Sequence, residues 1–326
     1  MGHHPGRWEN FQNYFVANPD ARGSARYGLT DEVPSGYGWE AVDPRFDARN
    51  ADYVNEPNRF GYIVEIDPHD PTSTPRKHTA MGRLKHEGAT IRVDRDGTVV
   101  SYMGDDERFD YLYKFVAKRK YRPGKSAAAR RHNLRILTEG DLYVARFSGT
   151  LKPDAYNLGR GVWLPLILNG KSMVSGMSAA EVCVYTRLAA DLVKPTPMDR
   201  PEDVEPNLKT GKVYLACTNN TERGEPGEPG PDPANPRARN KDGHVIELAE
   251  YRNRANATTF TWNILLLCGD PADPWSRPTS PAGAAPCPRS PARTTSPSTP
   301  LGTTCGWQPM ARRVRSSCWT ACSRCR

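Results

Sequence analysis

The sequence predicts a mostly-β fold with long loops and one helix. Short segments of alternating apolar and polar residues recur between residues 59 and 265, and Gly, Pro and Asp separate them. This alternation is typical of strands with one buried face, and the separating residues are typical of turns. Strands at this spacing are compatible with a sandwich, a barrel or a propeller, and the recurrent strand–turn–strand units favour a propeller.

Eight segments carry the strand pattern. Residues 59–66 alternate and end at an Asp-Pro pair, and an Asp-Gly pair separates the next two segments, as in a hairpin. The remaining strands are predicted in chain order at residues 90–93, 98–103, 111–116, 142–147, 212–218, 244–248 and 258–265.

Only residues 178–192 carry a convincing helix pattern. Ser178 stands at the N-cap position, and Glu181 follows three residues later. A Ser and a Glu at this spacing form a capping box, which satisfies free N–H groups at the start of a helix.

The composition changes abruptly after residue 274. Residues 275–326 contain eight Pro and eight Arg but no Asp or Glu, and these arginines account for the whole formal charge of +8. Such a segment lacks the apolar residues needed to offset the entropy lost on ordering a chain. We expect a partial propeller domain over 1–274 and a disordered tail over 275–326, with no specific nucleic-acid binding.

The tail also resembles a coding segment read in a shifted frame. With permitted synonymous codons, residues 291–311 re-read one base along give CPDNIAFDPAGNHLWVATDG. That string has the alternation and turn residues of a strand-rich protein. The nucleotide sequence of the gene separates this interpretation from a genuine Pro/Arg-rich tail.

The sequence predicts no membrane span and displays no export signal. It contains no run of about eighteen apolar residues, which a membrane-spanning helix requires. Residues 1–5, MGHHP, lack the apolar region of a signal peptide.

Several segments in the same order resemble the PhoX-type alkaline phosphatases, a family of exported bacterial phosphomonoesterases. The resemblance runs from about residue 8 to residue 274. It implies a six-bladed β-propeller, here incomplete, with a central site that holds Fe³⁺ and Ca²⁺ ions. The segments that carry it are residues 58–68 (NRFGYIVEIDP), 82–89 (GRLKHEGA), 102–108 (YMGDDER), 198–204 (MDRPEDV), 211–216 (GKVYLA), 218–221 (TNNT), 234–237 (ANPR) and 243–248 (GHVIEL).

Glu87 is the first candidate site residue. It is followed by Gly and Ala, which let the main chain come close to a metal cluster. The resemblance implies that Glu87 is a Ca²⁺ or Fe³⁺ ligand, since both are hard cations that favour oxygen. Without the resemblance, the sequence favours an ordinary carboxylate on a surface loop for Glu87.

Arg200 and Glu202 form the second candidate pair, on either side of Pro201. The planar guanidinium of an Arg suits a phosphate group. The resemblance implies that Arg200 binds phosphate and acts in catalysis, and that Glu202 bridges metal ions. The alternative is a Pro-containing loop with an exposed ion pair.

Glu9 is a third candidate metal ligand. The family has Glu-Glu-Asn at this place, whereas this chain has Trp8, Glu9 and Asn10. One ligand of the family is therefore replaced by Trp8, which places the metal set of this chain in doubt.

The resemblance implies metal-dependent hydrolysis of phosphate monoesters by a monomer in the periplasm or outside the cell, with impaired activity of the chain as printed. Two other functions remain open. A propeller is also used as a non-enzymatic binding module, because fold does not fix function. A propeller lactonase or esterase with one Ca²⁺ ion would share the carboxylate ligands but would not require Arg200 at the metals.

Overall fold

The computed structural model describes residues 11–152 and 156–269, and within them strands dominate. The strands are β1 Val64–Glu65, β2 Arg76–Lys77, β3 Thr90–Val93, β4 Val99–Gly104, β5 Leu112–Ala117, β6 Gly140–Gly149, β7 Leu158–Leu168, β8 Lys171–Ser172, β9 Pro201–Pro206, β10 Val213–Cys217, β11 His244–Glu250 and β12 Thr259–Leu267. The helices are α1 Ala127–Asn133, α2 Ala179–Val184 and α3 Thr186–Val193. No helix of the described ranges is long and apolar enough to cross a bilayer.

Ten of these strands form one antiparallel sheet that curves round until it nearly closes. The order is β3-β4-β5-β6-β7-β12-β11-β10-β9, and β8 pairs with the end of β7. Strand β9 returns to lie beside β3 and β4 at the other end of the path. The predicted mostly-β fold is confirmed, and this curved sheet with long loops is consistent with the propeller type.

Alternation along the strands places one apolar core inside the curve of the sheet. Its centre is aromatic, because the ring of Phe260 lies 5.1 Å from the Trp163 ring and 5.2 Å from the Phe147 ring. Trp262 extends the same cluster with a centroid 5.6 Å from Phe147. A second core lies between the sheet and the helices, around Met81, Phe115, Leu142, Val182 and Ala189.

Four strands escaped the sequence prediction: the two-residue strands β2 and β8, and the longer strands β7 and β9. Strand β9 begins and ends with Pro, and Pro cannot donate to a strand ladder, so its sequence is typical of a turn. It is tolerated because β10 is the only described strand that forms a main-chain ladder with β9. Strand β7 contains two Gly and one Pro, which interrupt the apolar alternation. The predicted strand 59–66 was mostly wrong, since only Val64–Glu65 is extended and paired there.

The prediction of a single helix over 178–192 was wrong in length and number. The capping box is confirmed, because Ser178 and Glu181 exchange both hydrogen bonds. The helix then breaks at Tyr185, whose ψ of 47° is not helical. At the break, the Thr186 hydroxyl donates to the Val182 carbonyl at 2.8 Å and accepts the Arg83 N–H at 2.8 Å. Such side-chain bonds compete with the helical ladder.

A buried ion pair ties the middle of the sheet together. Lys114 on β5 and Glu250 on β11 are almost fully buried, with Nζ and Oε1 2.9 Å apart. Glu250 also accepts hydrogen bonds from the Tyr102 hydroxyl at 2.9 Å and the Trp163 indole at 3.2 Å. Burial lowers the pKa of Lys114 to about 8 and raises the pKa of Glu250. Each charge is therefore stable in the core only while the opposite charge is beside it.

A second buried network contains the neutral His244. Its Nδ1 accepts from the Asn240 amide at 3.2 Å, so its Nε2 carries the proton and donates to the Ala234 carbonyl at 2.9 Å. Burial lowers the pKa of His244 to about 4, because the charged ring would lose its hydration. This ring is therefore an uncharged packing element at neutral pH.

Lys114→Met should lower the free energy of unfolding by about 3–5 kcal/mol, because it leaves the Glu250 carboxylate buried without its cation. Lys118→Met is the matched control, since Lys118 and Glu139 form an exposed pair 3.6 Å apart. That control should change stability by no more than about 1 kcal/mol. Urea unfolding measures both, and equal losses would contradict a dominant role for the buried pair.

His244→Gln should reduce the loss of stability between pH 6.5 and pH 4. In the parent, the unfolded state binds a proton in this range while folded His244, with a pKa of about 4, does not. The parent therefore loses up to about 3 kcal/mol as the pH falls, and Gln removes this contribution. Urea midpoints at pH 7, 5 and 4 test this. His69→Gln, at an exposed position, should keep the parent's profile, and parallel profiles for His244→Gln would refute the explanation.

Candidate functional site

Arg200 and Glu202 meet where strand β9 begins. Arg200 has a left-handed backbone conformation, with φ of 54°, which turns the chain sharply before Pro201. Its Nη2 atom lies 3.0 Å from Oε1 of Glu202. The same Glu202 oxygen accepts a hydrogen bond of 2.6 Å from the Thr218 hydroxyl, at the end of β10. The two predicted side chains are therefore brought together and oriented by a third.

Asp106 completes this cluster from the opposite end of the sheet. Its Oδ1 and Oδ2 lie 2.7 Å and 2.9 Å from Nη2 of Arg200. Burial alone would lower the pKa of Arg200, but Asp106 and Glu202 raise it above its usual value. The guanidinium is therefore charged, and its side chain remains 30% exposed to solvent. We refer to Asp106, Arg200 and Glu202 as the arginine cluster.

The main chain of Glu87 lies next to the arginine cluster. Its N–H donates to the Gly104 carbonyl at 3.3 Å. Gly104 in turn lies against β9 so closely that a Cβ atom there would be 1.9 Å from the Pro201 carbonyl oxygen. Glycine is required at this contact because any side chain would push the two strands apart. Glu87 is half-buried beside it.

Further charges surround the arginine cluster. Lys85 pairs with Glu107, and Arg108 pairs with Glu222. Lys85, Glu107 and Arg108 come from the segments that contain Glu87 and Asp106, and the Glu107 carboxylate also helps to raise the pKa of Arg200.

Buried polar groups lie next to the arginine cluster along the chain. Asp199, immediately before Arg200, is fully buried and accepts from Arg223 Nε at 2.5 Å and from the Asn240 amide at 2.9 Å. Asn220 is also fully buried, and its Oδ1 accepts the Glu222 N–H at 3.1 Å. Its Nδ2 group has no acceptor within the described part of the chain.

The described residues do not by themselves form a metal site. Across residues 11–152 and 156–269, no three His, Cys, Asp or Glu side chains gather closely enough to hold a metal ion. The carboxylates of Asp106 and Glu202 are directed to Arg200 instead. Glu9, the remaining predicted ligand, lies outside the described residues.

Sequence reasoning singled out Arg200, Glu202 and Glu87 but assigned no partner to Arg200 beyond Glu202. Asp106 was included only as part of the segment 102–108, where a Gly-Asp-Asp run after a strand is also typical of a turn. Thr218 was noted only as part of the TNNT segment. A usable signal existed for Asp106, since polar residues at strand ends often meet at one edge of a sheet.

Comparisons with known proteins relate the chain to one family. Residues 8–288 match the profile of a family described as alkaline phosphatase PhoX. The structure of Pseudomonas fluorescens PhoX in complex with vanadate, a transition state analogue, shares 39% sequence identity, with a TM-score of 0.73. The similarity covers 83% of this chain and 47% of that chain, so this chain spans about half the length of the P. fluorescens protein. The search of curated proteins gives no match. Both the family profile and the fold lead to one conclusion: the chain belongs to the PhoX alkaline phosphatase family.

Proposed function

We propose that this chain is part of a metal-dependent phosphatase that hydrolyses phosphate monoesters. The observation that carries the proposal is the half-exposed, charged Arg200 held between Asp106 and Glu202. The P. fluorescens relative binds vanadate, a transition state analogue. A protein that binds such an oxyanion needs fixed donors for its oxygens.

The geometry of Arg200 supports a phosphate-binding role. Only Nη2 bonds to the two carboxylates, and Nε and Nη1 have no acceptor among the described residues. The guanidinium therefore retains several N–H donors for phosphate oxygens, while its position is set by the carboxylates. A fixed planar fork suits a phosphate better than a flexible ammonium group does.

The metal requirement is a second part of the proposal. We expect Ca²⁺ and Fe³⁺ to be held by Glu87 and Glu202 together with ligands outside the described residues, Glu9 among them. Carboxylate oxygens are the ligands that these hard cations prefer. Because Trp8 stands where the family has a Glu, we expect the chain as printed to be impaired relative to a full-length family member.

The setting of the activity follows from the family. We expect small phosphorylated molecules as substrates, a monomer as the active form and a periplasmic or extracellular location. The non-enzymatic binding module and the lactonase or esterase remain the alternatives. The meeting of Glu202 with Arg200 and Asp106 favours the phosphatase, because neither alternative requires an oriented guanidinium at this place.

The chain supplied with Ca²⁺ and Fe³⁺ should hydrolyse p-nitrophenyl phosphate at alkaline pH, more slowly than a full-length family member, and EDTA should abolish the reaction. The p-nitrophenyl acetate reaction, followed in parallel, serves as the control for esterase activity. Hydrolysis of the acetate alone would favour the esterase. Chelator-resistant hydrolysis of the phosphate would contradict the metal requirement, and absence of both hydrolysis and vanadate binding would favour the binding module.

Arg200→Lys should weaken vanadate binding by about tenfold, because Lys keeps the charge but loses the fork that Asp106 and Glu202 orient. Isothermal titration calorimetry of the metal-supplied protein measures this affinity. Arg146→Lys is the matched control, since Arg146 is exposed on β6. The two variants should differ clearly, and unchanged vanadate affinity in Arg200→Lys would remove Arg200 from the phosphate site.

A further inference from the structure

Arg187 is a buried cation at the start of helix α3, only 1% exposed. Its Nε donates to Oδ2 of Asp105 at 2.8 Å, and its Nη2 donates to Oδ1 of the same carboxylate. Nη2 also lies 3.3 Å from Oδ2 of Asp110. Burial opposes the ionisation of Asp105, but Arg187 lowers the pKa of this carboxyl below its usual range. The pair is therefore ionised and has a fixed two-point geometry.

The Asp105 carboxylate also holds a second segment of chain. Its Oδ1 accepts the Lys85 N–H at 3.0 Å. The main chains of His86 and Asp105 are paired as an isolated antiparallel bridge, and the Asp106 N–H donates to the Lys85 carbonyl at 3.0 Å. One carboxylate therefore joins residues 85–87 to residues 105–106.

Both segments lead directly to the arginine cluster. Asp106 contacts Arg200 through both of its carboxylate oxygens. Glu87 lies beside Gly104, which touches the start of β9. A shift of Asp105 would therefore move Asp106 relative to Arg200, and Glu87 relative to Glu202.

The position of Arg187 is set by the break between α2 and α3. Its N–H donates to the Tyr27 hydroxyl at 3.3 Å, and Nη1 donates to the Arg26 carbonyl at 3.3 Å. A straight helix over 178–192 would change the direction of this side chain. A buried ion pair is often no more stabilising than apolar residues of similar volume, so its presence beside the cluster calls for a reason other than stability.

We propose that Arg187 is a positioning residue, which fixes Asp106 and Glu87 against Arg200 and Glu202 through the carboxylate of Asp105. The functional consequence of this positioning rests on the proposed phosphatase function, but the positioning itself is a property of the fold. Arg187 does not touch the substrate site, and it acts only through Asp105.

Hydrogen exchange of the full chain, followed by mass spectrometry at single-residue resolution, tests the positioning. Arg187→Met should speed exchange of the Lys85 amide by about tenfold or more, because that amide loses a fixed charged acceptor. Exchange in β10, β11 and β12 should stay near the parent rate. Arg187→Lys keeps the charge with fewer donors and should give a smaller increase.

Arg26→Met is the matched control. Arg26 pairs with Asp110 at 2.6 Å and with Asp191 at 2.9 Å, but it forms no ion pair with Asp105. Because Arg26 acts on Asp105 without a direct contact, its removal should change Lys85 exchange much less than Arg187→Met does. Unchanged Lys85 exchange in Arg187→Met, or an equal rise throughout the sheet, would overturn the proposal. If Arg187→Met does not fold, Arg187→Lys is measured instead. A rise in the Lys85 exchange rate relative to the rates in β10, β11 and β12 would then support the proposal, and the absence of such a rise would overturn it.

The vanadate affinity of the protein supplied with Ca²⁺ and Fe³⁺ tests whether this positioning affects function. Arg187→Met should bind vanadate about tenfold more weakly than the parent, with partial recovery in Arg187→Lys. A parent that binds no vanadate would refute the phosphatase proposal, while the exchange experiment would still decide whether Arg187 positions the cluster. A parent and an Arg187→Met variant with equal vanadate affinity would overturn the link to function.

Discussion

The contact between Gly104 and Pro201 is the constraint on which the rest of the site depends. Two strands from opposite ends of the sheet approach there until their main chains touch, and only a residue without a side chain allows it. Glu87 and Asp106 are brought in on one side of this contact, and Arg200 and Glu202 on the other. The half-exposed guanidinium is therefore a product of sheet closure rather than of any local motif.

Buried charges are concentrated where this sheet needs fixed geometry. Lys114 with Glu250 joins β5 to β11 across the inner core. Arg187 with Asp105 holds the end of β4, and Arg223 with Asp199 holds the residue before Arg200. Each of these pairs is almost free of solvent, so its removal from water has a free-energy cost that its hydrogen bonds must offset. In return, each pair has one permitted arrangement, which a cluster of interchangeable apolar side chains lacks.

The fold could be predicted from the sequence wherever neighbouring residues alone determine the local structure. The hairpin of β3 and β4 and the capping box at Ser178 follow from neighbouring residues. The rest depended on tertiary contacts. Strand β9 has a turn-like sequence that becomes a strand only beside β10, and the helix breaks at Tyr185 because Thr186 bonds across to Arg83. Arg200 and Glu202 could be singled out through the family resemblance. Asp106 could not be assigned to Arg200, since nothing local links the two residues.

The distance in sequence between the halves of the site affects how the chain folds. Asp106 and Arg200 are 94 positions apart, so their contact closes a long loop and is slow to form compared with local turns. The hairpin of β3 and β4 and the antiparallel pair of β9 and β10 each join segments that are neighbours in sequence, so each can form without the other. The site exists only after both have formed and docked. An oxyanion that binds at Arg200 would therefore recognise only the closed sheet, and its binding energy would stabilise closed molecules against half-formed intermediates.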